Sequence, residues 1–129
     1  MRLHSITTCH DDGDVYGLQF HMAMNPYEAV GEEVYDMAPI GVMSKGVCDV
    51  LELPEGLTRI KVNLQSAEAG LDIQYKIADG VLKETYGQIE ADNFETWKFT
   101  AENPLIGLYG RQTEAGISQL GFVTLDTAC

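Results

Sequence analysis

A short strand pattern that occurs three times limits what this chain can fold into more than any other feature. Tyr16-Gly17-Leu18-Gln19-Phe20, Leu71-Asp72-Ile73-Gln74-Tyr75 and Ser118-Gln119-Leu120-Gly121-Phe122 each set an aliphatic residue two positions before an aromatic one, with a polar or small residue between. The copies lie roughly fifty residues apart, the length of one four-stranded unit. Three units of strand-period sequence exclude a helical bundle and a parallel α/β fold. They predict a single all-β body made of three small sheets.

The rest of the alternation agrees. Tyr16, Leu18, Phe20 and Met22 share one parity, and so do Leu71, Ile73, Tyr75 and Ile77. Shorter sets are Leu51 and Leu53 around Glu52, then Ile60, Val62 and Leu64, Trp97 and Phe99, and Ile106 and Leu108. Leu120 and Phe122 oppose Gly121, Val123 and Leu125. Period two places one face of each strand in a core and the other in water. Turns are signalled at Asp11-Asp12-Gly13-Asp14, Ser44-Lys45-Gly46, Pro54-Glu55-Gly56, Ala78-Asp79-Gly80 and Glu102-Asn103-Pro104. No segment holds a helical period over ten positions. The nearest, 26–34, is interrupted by Gly31, and 37–43 reads as a loop around Pro39 and Gly41. No linker or low-complexity tract divides the 129 residues, so 1–129 reads as a single domain.

The net charge of −12 argues against nucleic acid and against docking on anionic lipid. It favours solubility, or a partner that is basic, cationic or neutral. No apolar run approaches the ~18 residues of a membrane span, so no membrane insertion is expected. The segment from Met1 to Ser5 lacks the basic and apolar regions of a signal peptide. Either the chain is not exported by that route or its numbering begins after processing. Cys9, Cys48 and Cys129 make an odd count without C-x-x-C spacing, which disfavours zinc. Cys9 and Cys129 lie near opposite ends and would be bridged if the terminal strands were neighbours. Three reduced thiols packed as small apolar groups are the alternative.

The second half carries a resemblance. Leu71 to Gly80 is followed by Glu84-Thr85-Tyr86-Gly87, Trp97-Lys98-Phe99, Leu105-Ile106-Gly107-Leu108-Tyr109-Gly110-Arg111 and Ile117-Ser118-Gln119-Leu120-Gly121-Phe122. In order and spacing this resembles the jacalin-related lectins, whose pattern runs through Thr-Tyr-Gly, an apolar strand, Gly-Phe-x-Gly-Arg and a closing Leu-Asp-Ala-Ile-Gly. The likeness extends from Ile6 to Leu125. It implies a β-prism of three Greek-key four-stranded sheets with pseudo-threefold symmetry. It also implies adjacent first and last strands, and with them a Cys9–Cys129 disulfide. An extracellular or secretory-granule setting follows in preference to the cytoplasm. Gly107, Gly110 and Gly121 would then stand where a side chain crowds a neighbour.

The family binds sugars through a Gly-x-x-x-Asp loop before its last strand. Here Ser118 stands in the place of that Asp and Glu114 in the place of the Gly, and the loop from Arg111 to Gly116 is one residue longer. No glycine precedes Gly13 to supply the family's N-terminal contribution. A serine carries no charge, so the usual site is degraded or remodelled. A second family site, in the first Greek key, corresponds to His10-Asp11-Asp12-Gly13-Asp14. Asp14 matches the acceptor there and His10 replaces the glycine. Read without the family, those carboxylates would suit Ca²⁺ or a solvated turn, but the twelve-residue calcium pattern is missing and no metal site is expected.

The resemblance implies a non-enzymatic recognition module for a glycan or glycoprotein. Asp14, Tyr109, Glu114, Ala115, Gly116 and Ser118 are the candidate binding residues, working by hydrogen bonds to hydroxyls and by stacking. Arg111 is a further surface candidate, whereas the alternation of Trp97 with Lys98 assigns it to the core. No catalytic residue is nominated: Cys9 and His10 fall on opposite faces of a strand, and no Ser–His–Asp order can be argued from the chain alone. No cofactor is implied. The alternative function is a structural subunit that self-assembles or scaffolds a protein assembly, since open sheets offer edges for pairing to a protein partner or a homo-oligomer.

Overall fold

A computed structural model describes residues 2–11, 14–24, 33–53, 56–63, 70–87, 95–100, 103–113 and 116–124, with the backbone alone at Arg2, Met24, Thr113 and Ser118. The strands are β1 (Arg2–His10), β2 (Val15–Met24), β3 (Glu33–Asp36), β4 (Ile40–Gly41), β5 (Val47–Glu52), β6 (Leu57–Asn63), β7 (Gly70–Ile77), β8 (Gly80–Gly87), β9 (Glu95–Lys98), β10 (Leu105–Thr113) and β11 (Gly116–Thr124). They form three antiparallel sheets. The first runs β3-β2-β1-β5, with β4 also on β2. The second runs β8-β7-β6-β9, and the third is the β10-β11 hairpin. Short β3 and β4 line one side of β2 at successive positions, so together they act as a single interrupted strand.

The three sheets pool their apolar faces. Leu18 and Phe20, Ile73 and Tyr75, and Leu120 and Phe122 all lie in one buried cluster, so the aliphatic and aromatic positions of the threefold pattern meet in a common interior. Phe122 joins the second and third sheets through edge-on contacts with Trp97 and Phe99, at ring centroid distances of 5.3 and 6.1 Å. Trp97 is thus a core contact, in agreement with its alternation. A Cβ on Gly121 would fall 2.2 Å from Cζ of Tyr109, and one on Gly110 would fall 2.1 Å from the Gln119 carbonyl oxygen, so both positions sit under a close neighbour.

Register shifts decide where the alternation stops. Cys9 pairs with Gly17 but His10 pairs with Val15, which leaves Tyr16 as an extra residue in β2. A bulge of this kind reverses parity. Val15 turns inward at 3% exposure while Tyr16 leaves the core face. Tyr16 is therefore not the inward partner of Leu18, as simple alternation predicts. Ser118 is the corresponding extra residue of β11, between Gln119, which pairs with Arg111, and Ile117, which pairs with Gln112. The two bulges occupy the same position in the first and third copies of the repeated pattern.

The expected disulfide is corrected. β1 is flanked by β2 and β5 on its two sides, so no position beside it is open to the last strand. Cys9 lies directly opposite Cys48 on β5, with Cα atoms 4.0 Å apart, and these two residues form the disulfide. Cys129 lies outside the described residues. The bridge closes a segment of 39 residues between its ends.

Loop-closure entropy for a cross-link of that span corresponds to about 4 kcal/mol. Replacing Cys48 with Ser is expected to lower unfolding stability by about 2–4 kcal/mol in denaturant titrations. Non-reducing peptide mapping of the wild-type chain is expected to join the Cys9 peptide to the Cys48 peptide and not to that of Cys129.

Candidate functional site

The two outer hairpins end at the same end of the molecule, and β4 ties them together. Gly41 pairs with Gly17 of β2, and its N–H donates to Oε1 of Gln112 on β10 at 2.8 Å. Gly41 has φ +89°, and a Cβ there would fall 2.2 Å from the Tyr16 carbonyl oxygen and 2.7 Å from Cγ1 of Ile117. Only glycine fits so tight a seat with positive φ. The β1–β2 turn and the β10–β11 turn thus flank one short strand.

Asp14 is half-buried and fixed by the turn itself. Its Oδ1 accepts the Val15 N–H at 2.9 Å, and its carbonyl accepts the Asp11 N–H at 3.0 Å. Asp11 in turn accepts the phenol of Tyr16 through Oδ2. That hydrogen bond, with smaller contributions from desolvation and from the charges of Asp11 and Asp14, pushes the Tyr16 hydroxyl up to about 12 from its ordinary 10. Lys45 Nζ lies 5.7 Å from the Tyr16 ring centroid, a cation–π contact. Beside this turn, Nε2 of His10 donates to Asp49 Oδ2 at 2.6 Å, and the imidazole stands edge-on to Tyr86 at 4.8 Å. Burial, then the charges of Glu84 and Asp49, pushes Tyr86 up to about 12. This end of the prism is therefore rich in carboxylate acceptors held by backbone and phenol donors.

The sequence-derived candidates are distributed unevenly. Asp14 is on this rim. Gly116 opens β11 opposite Thr113, and Ser118 is the bulged residue two positions later, so both flank the second turn. Glu114 and Ala115 lie outside the described residues. Tyr109 is 56% exposed but sits above Gly121 on the outer face of the hairpin. Four strand steps, about 13 Å, take it to Thr113, so it stands away from the turn. Tyr16, Lys45 and Gln112 are not among the site residues that the sequence indicates, and Asp11 enters there only as part of the loop from His10 to Asp14. The available signal was Tyr16 itself, which heads the first copy of the repeated pattern at the place Ser118 holds in the third.

A second polar constellation crosses the outer face of the first sheet. Thr7 Oγ1 lies 2.6 Å from His21 Nε2, and His21 Nδ1 lies 2.6 Å from Asp36 Oδ1. A carboxylate only accepts, so the imidazole donates to Asp36 through Nδ1. The order is that of a hydroxyl nucleophile, base and orienting acid. The three side chains stand on the adjacent strands β1, β2 and β3 and join them across the sheet. The constellation is a cross-strand brace.

No protein-family model and no curated protein sequence matches the chain. Solved structures do. The chain is similar to AcmJRL, a mannose-binding jacalin-related lectin from Ananas comosus, with a TM-score of 0.68 at 17% identity, over 98% of this chain and 83% of that one. It is similar to artocarpin, solved in complex with mannopentose, with a TM-score of 0.71 at 12% identity, over 97% and 84%. The agglutinin of Calystegia sepium gives a TM-score of 0.61 at 15% identity, over 98% and 83%. The fold is the β-prism of the jacalin-related lectins, as the resemblance implies. The third sheet differs from the expected four strands in holding two among the described residues.

Both perturbed phenols are held neutral above their ordinary value, so folding draws on them fully below about pH 10 and loses that contribution as pH rises through about 12. Asp11→Asn is expected to return Tyr16 toward 10, read as an earlier phenolate absorbance step in an alkaline titration, and to leave Tyr86 in place.

Proposed function

We propose that this chain is a non-enzymatic glycan-recognition module that reads sugar hydroxyls at the prism end carrying the β1–β2 turn. The observation that carries this reading is Asp14, a half-buried carboxylate fixed by the Val15 N–H at 2.9 Å on a turn of lectin-type architecture. A carboxylate held in this way accepts hydrogen bonds from hydroxyls without reordering, and charge-assisted bonds are the stronger kind. Further support comes from the fold relatives, one described as mannose binding and one solved with mannopentose. In this reading the first hairpin takes the principal role, because the second offers Ser118 where a charged acceptor would stand. Ser118 and Gly116 contribute from across β4. The Cys9–Cys48 disulfide favours an oxidising, extracellular or secretory setting.

Methyl-α-mannoside and a panel of neutral oligosaccharides are expected to bind weakly by calorimetry or on an array. A charge-assisted hydrogen bond contributes about 1.5–3 kcal/mol. Asp14→Ala should therefore weaken binding roughly 10- to 100-fold, and Ser118→Ala should weaken it less. A wild-type chain indifferent to every neutral sugar, or an Asp14→Ala variant that binds unchanged, would sink the reading.

A further inference from the structure

The outer face of the second sheet concentrates the positive charge of an acidic molecule. The chain has eight Lys and Arg residues against twenty Asp and Glu. Ile60, Val62, Leu71 and Ile73 point inward, so strand parity sends Arg59, Lys61, Asp72, Gln74 and Lys76 outward. The register continues this across the sheet. Lys98 of β9 stands opposite Arg59 of β6, Arg59 opposite Gln74 of β7, and Gln74 opposite Lys83 of β8. The next row runs Thr96, Lys61, Asp72, Thr85. Five of the eight cations, Arg59, Lys61, Lys76, Lys83 and Lys98, therefore share one face. Among the described residues the single acid on it is Asp72. Asp72 is 5% exposed, accepts the Thr85 hydroxyl at 2.9 Å and has Lys83 Nζ at 4.0 Å.

We propose that this face binds an anionic polysaccharide, a glycan chain carrying carboxylate or sulfate groups, separately from the prism-end site. Three inter-strand steps of about 4.8 Å make the row from Lys98 to Lys83 about 14 Å long. The row places cations at its two ends and beside its centre. Between them stand Gln74, Thr85 and Thr96, which donate to and accept from hydroxyls. Alternating cations and hydroxyl-matching groups suit a chain that is itself charged and hydroxylated. Arg59 adds a planar fork matched to carboxylate and sulfate oxygens, and its Nε is buried without a partner among the described residues. Among the described residues no aromatic side chain lies on the face, and so none there offers the stacking platform with which proteins hold nucleic acid single strands. The exposed apolar residue described on it, Val81 opposite Lys76, lies at the margin and not at the centre where the anchors of protein interfaces stand, which disfavours a second copy of this chain.

The test is binding of two probes, a sulfated heparin oligosaccharide and a polygalacturonate oligosaccharide, to the wild-type chain and to the exposed-lysine variant K76Q/K83Q/K98Q. Binding of one probe or both, weakened at least tenfold in the variant and with a shallower dependence on salt, is expected. The probe that binds identifies sulfate or carboxylate as the preferred anion. Unchanged affinity in the variant, absence of binding to both probes, or equal affinity for polyglutamate or single-stranded poly(U) would overturn the proposal. So would concentration-dependent self-association of the wild-type chain that the triple variant abolishes, since that would assign the face to a second copy. Binding of methyl-α-mannoside to the same variant reports on the prism end alone, so the failure of one reading is distinguishable from that of the other.

Discussion

Strict alternation of side chains about the sheet plane is the constraint on which the rest of this structure depends. Three sheets can share one interior only while each strand keeps its parity through the buried stretch, because a slip of one residue would turn its apolar set outward. Leu18 and Phe20, Ile73 and Tyr75, and Leu120 and Phe122 satisfy that condition from three directions at once. Where a strand gains a residue, the parity shifts by one and the core continues on the next position, as it does at Val15 and Ile117. Tyr16 and Ser118 mark such points near the starts of β2 and β11. On β2 the extra residue is aimed away from the core, and Tyr16 there engages Asp11 and Lys45.

The parts of the fold that were legible in the sequence are those in which burial and parity coincide. β7 shows its inward set without interruption, and Leu71, Ile73 and Tyr75 are buried as alternation requires. β1 was opaque for two reasons. An extra residue at His4 shifts the register between Leu3 and Ser5, and the inward Thr8 is polar yet fully buried. β8 was opaque for the opposite reason: most of its residues are exposed, so neither face carries an apolar signal. β3 and β4 are too short to show a period, and together they fill the stretch that reads as a loop around Pro39. At the candidate site Asp14 and Ser118 are indicated by the resemblance alone, as the positions that match the family's acceptor Asp. It did not indicate Gln112, whose role depends on β4 lying beside β10. The Cys9–Cys129 pairing rests on the adjacent terminal strands that the resemblance implies, whereas β5 fills the second side of β1 and brings Cys48 opposite Cys9.

Net charge conceals as much as it shows. A total of −12 describes the molecule at a distance, but within a Debye length of about 8 Å a ligand meets only local groups. Lys98, Arg59 and Lys83 are far apart in sequence and become a row solely through the registers of three strand pairs. Composition predicts a uniform acidic surface, whereas pairing produces a polarised one.

The Cys9–Cys48 bridge has a consequence for the border of the first sheet. Among the described residues β5 is the outermost strand of its sheet, and its Val47 and Val50 are more than half exposed. Such a margin invites another molecule to contribute a strand or to trade one. A covalent clip between β5 and its neighbour removes the freedom to detach that trading requires. Under reducing conditions the same margin loses its fastening, and intermolecular strand exchange becomes the characteristic hazard of this chain.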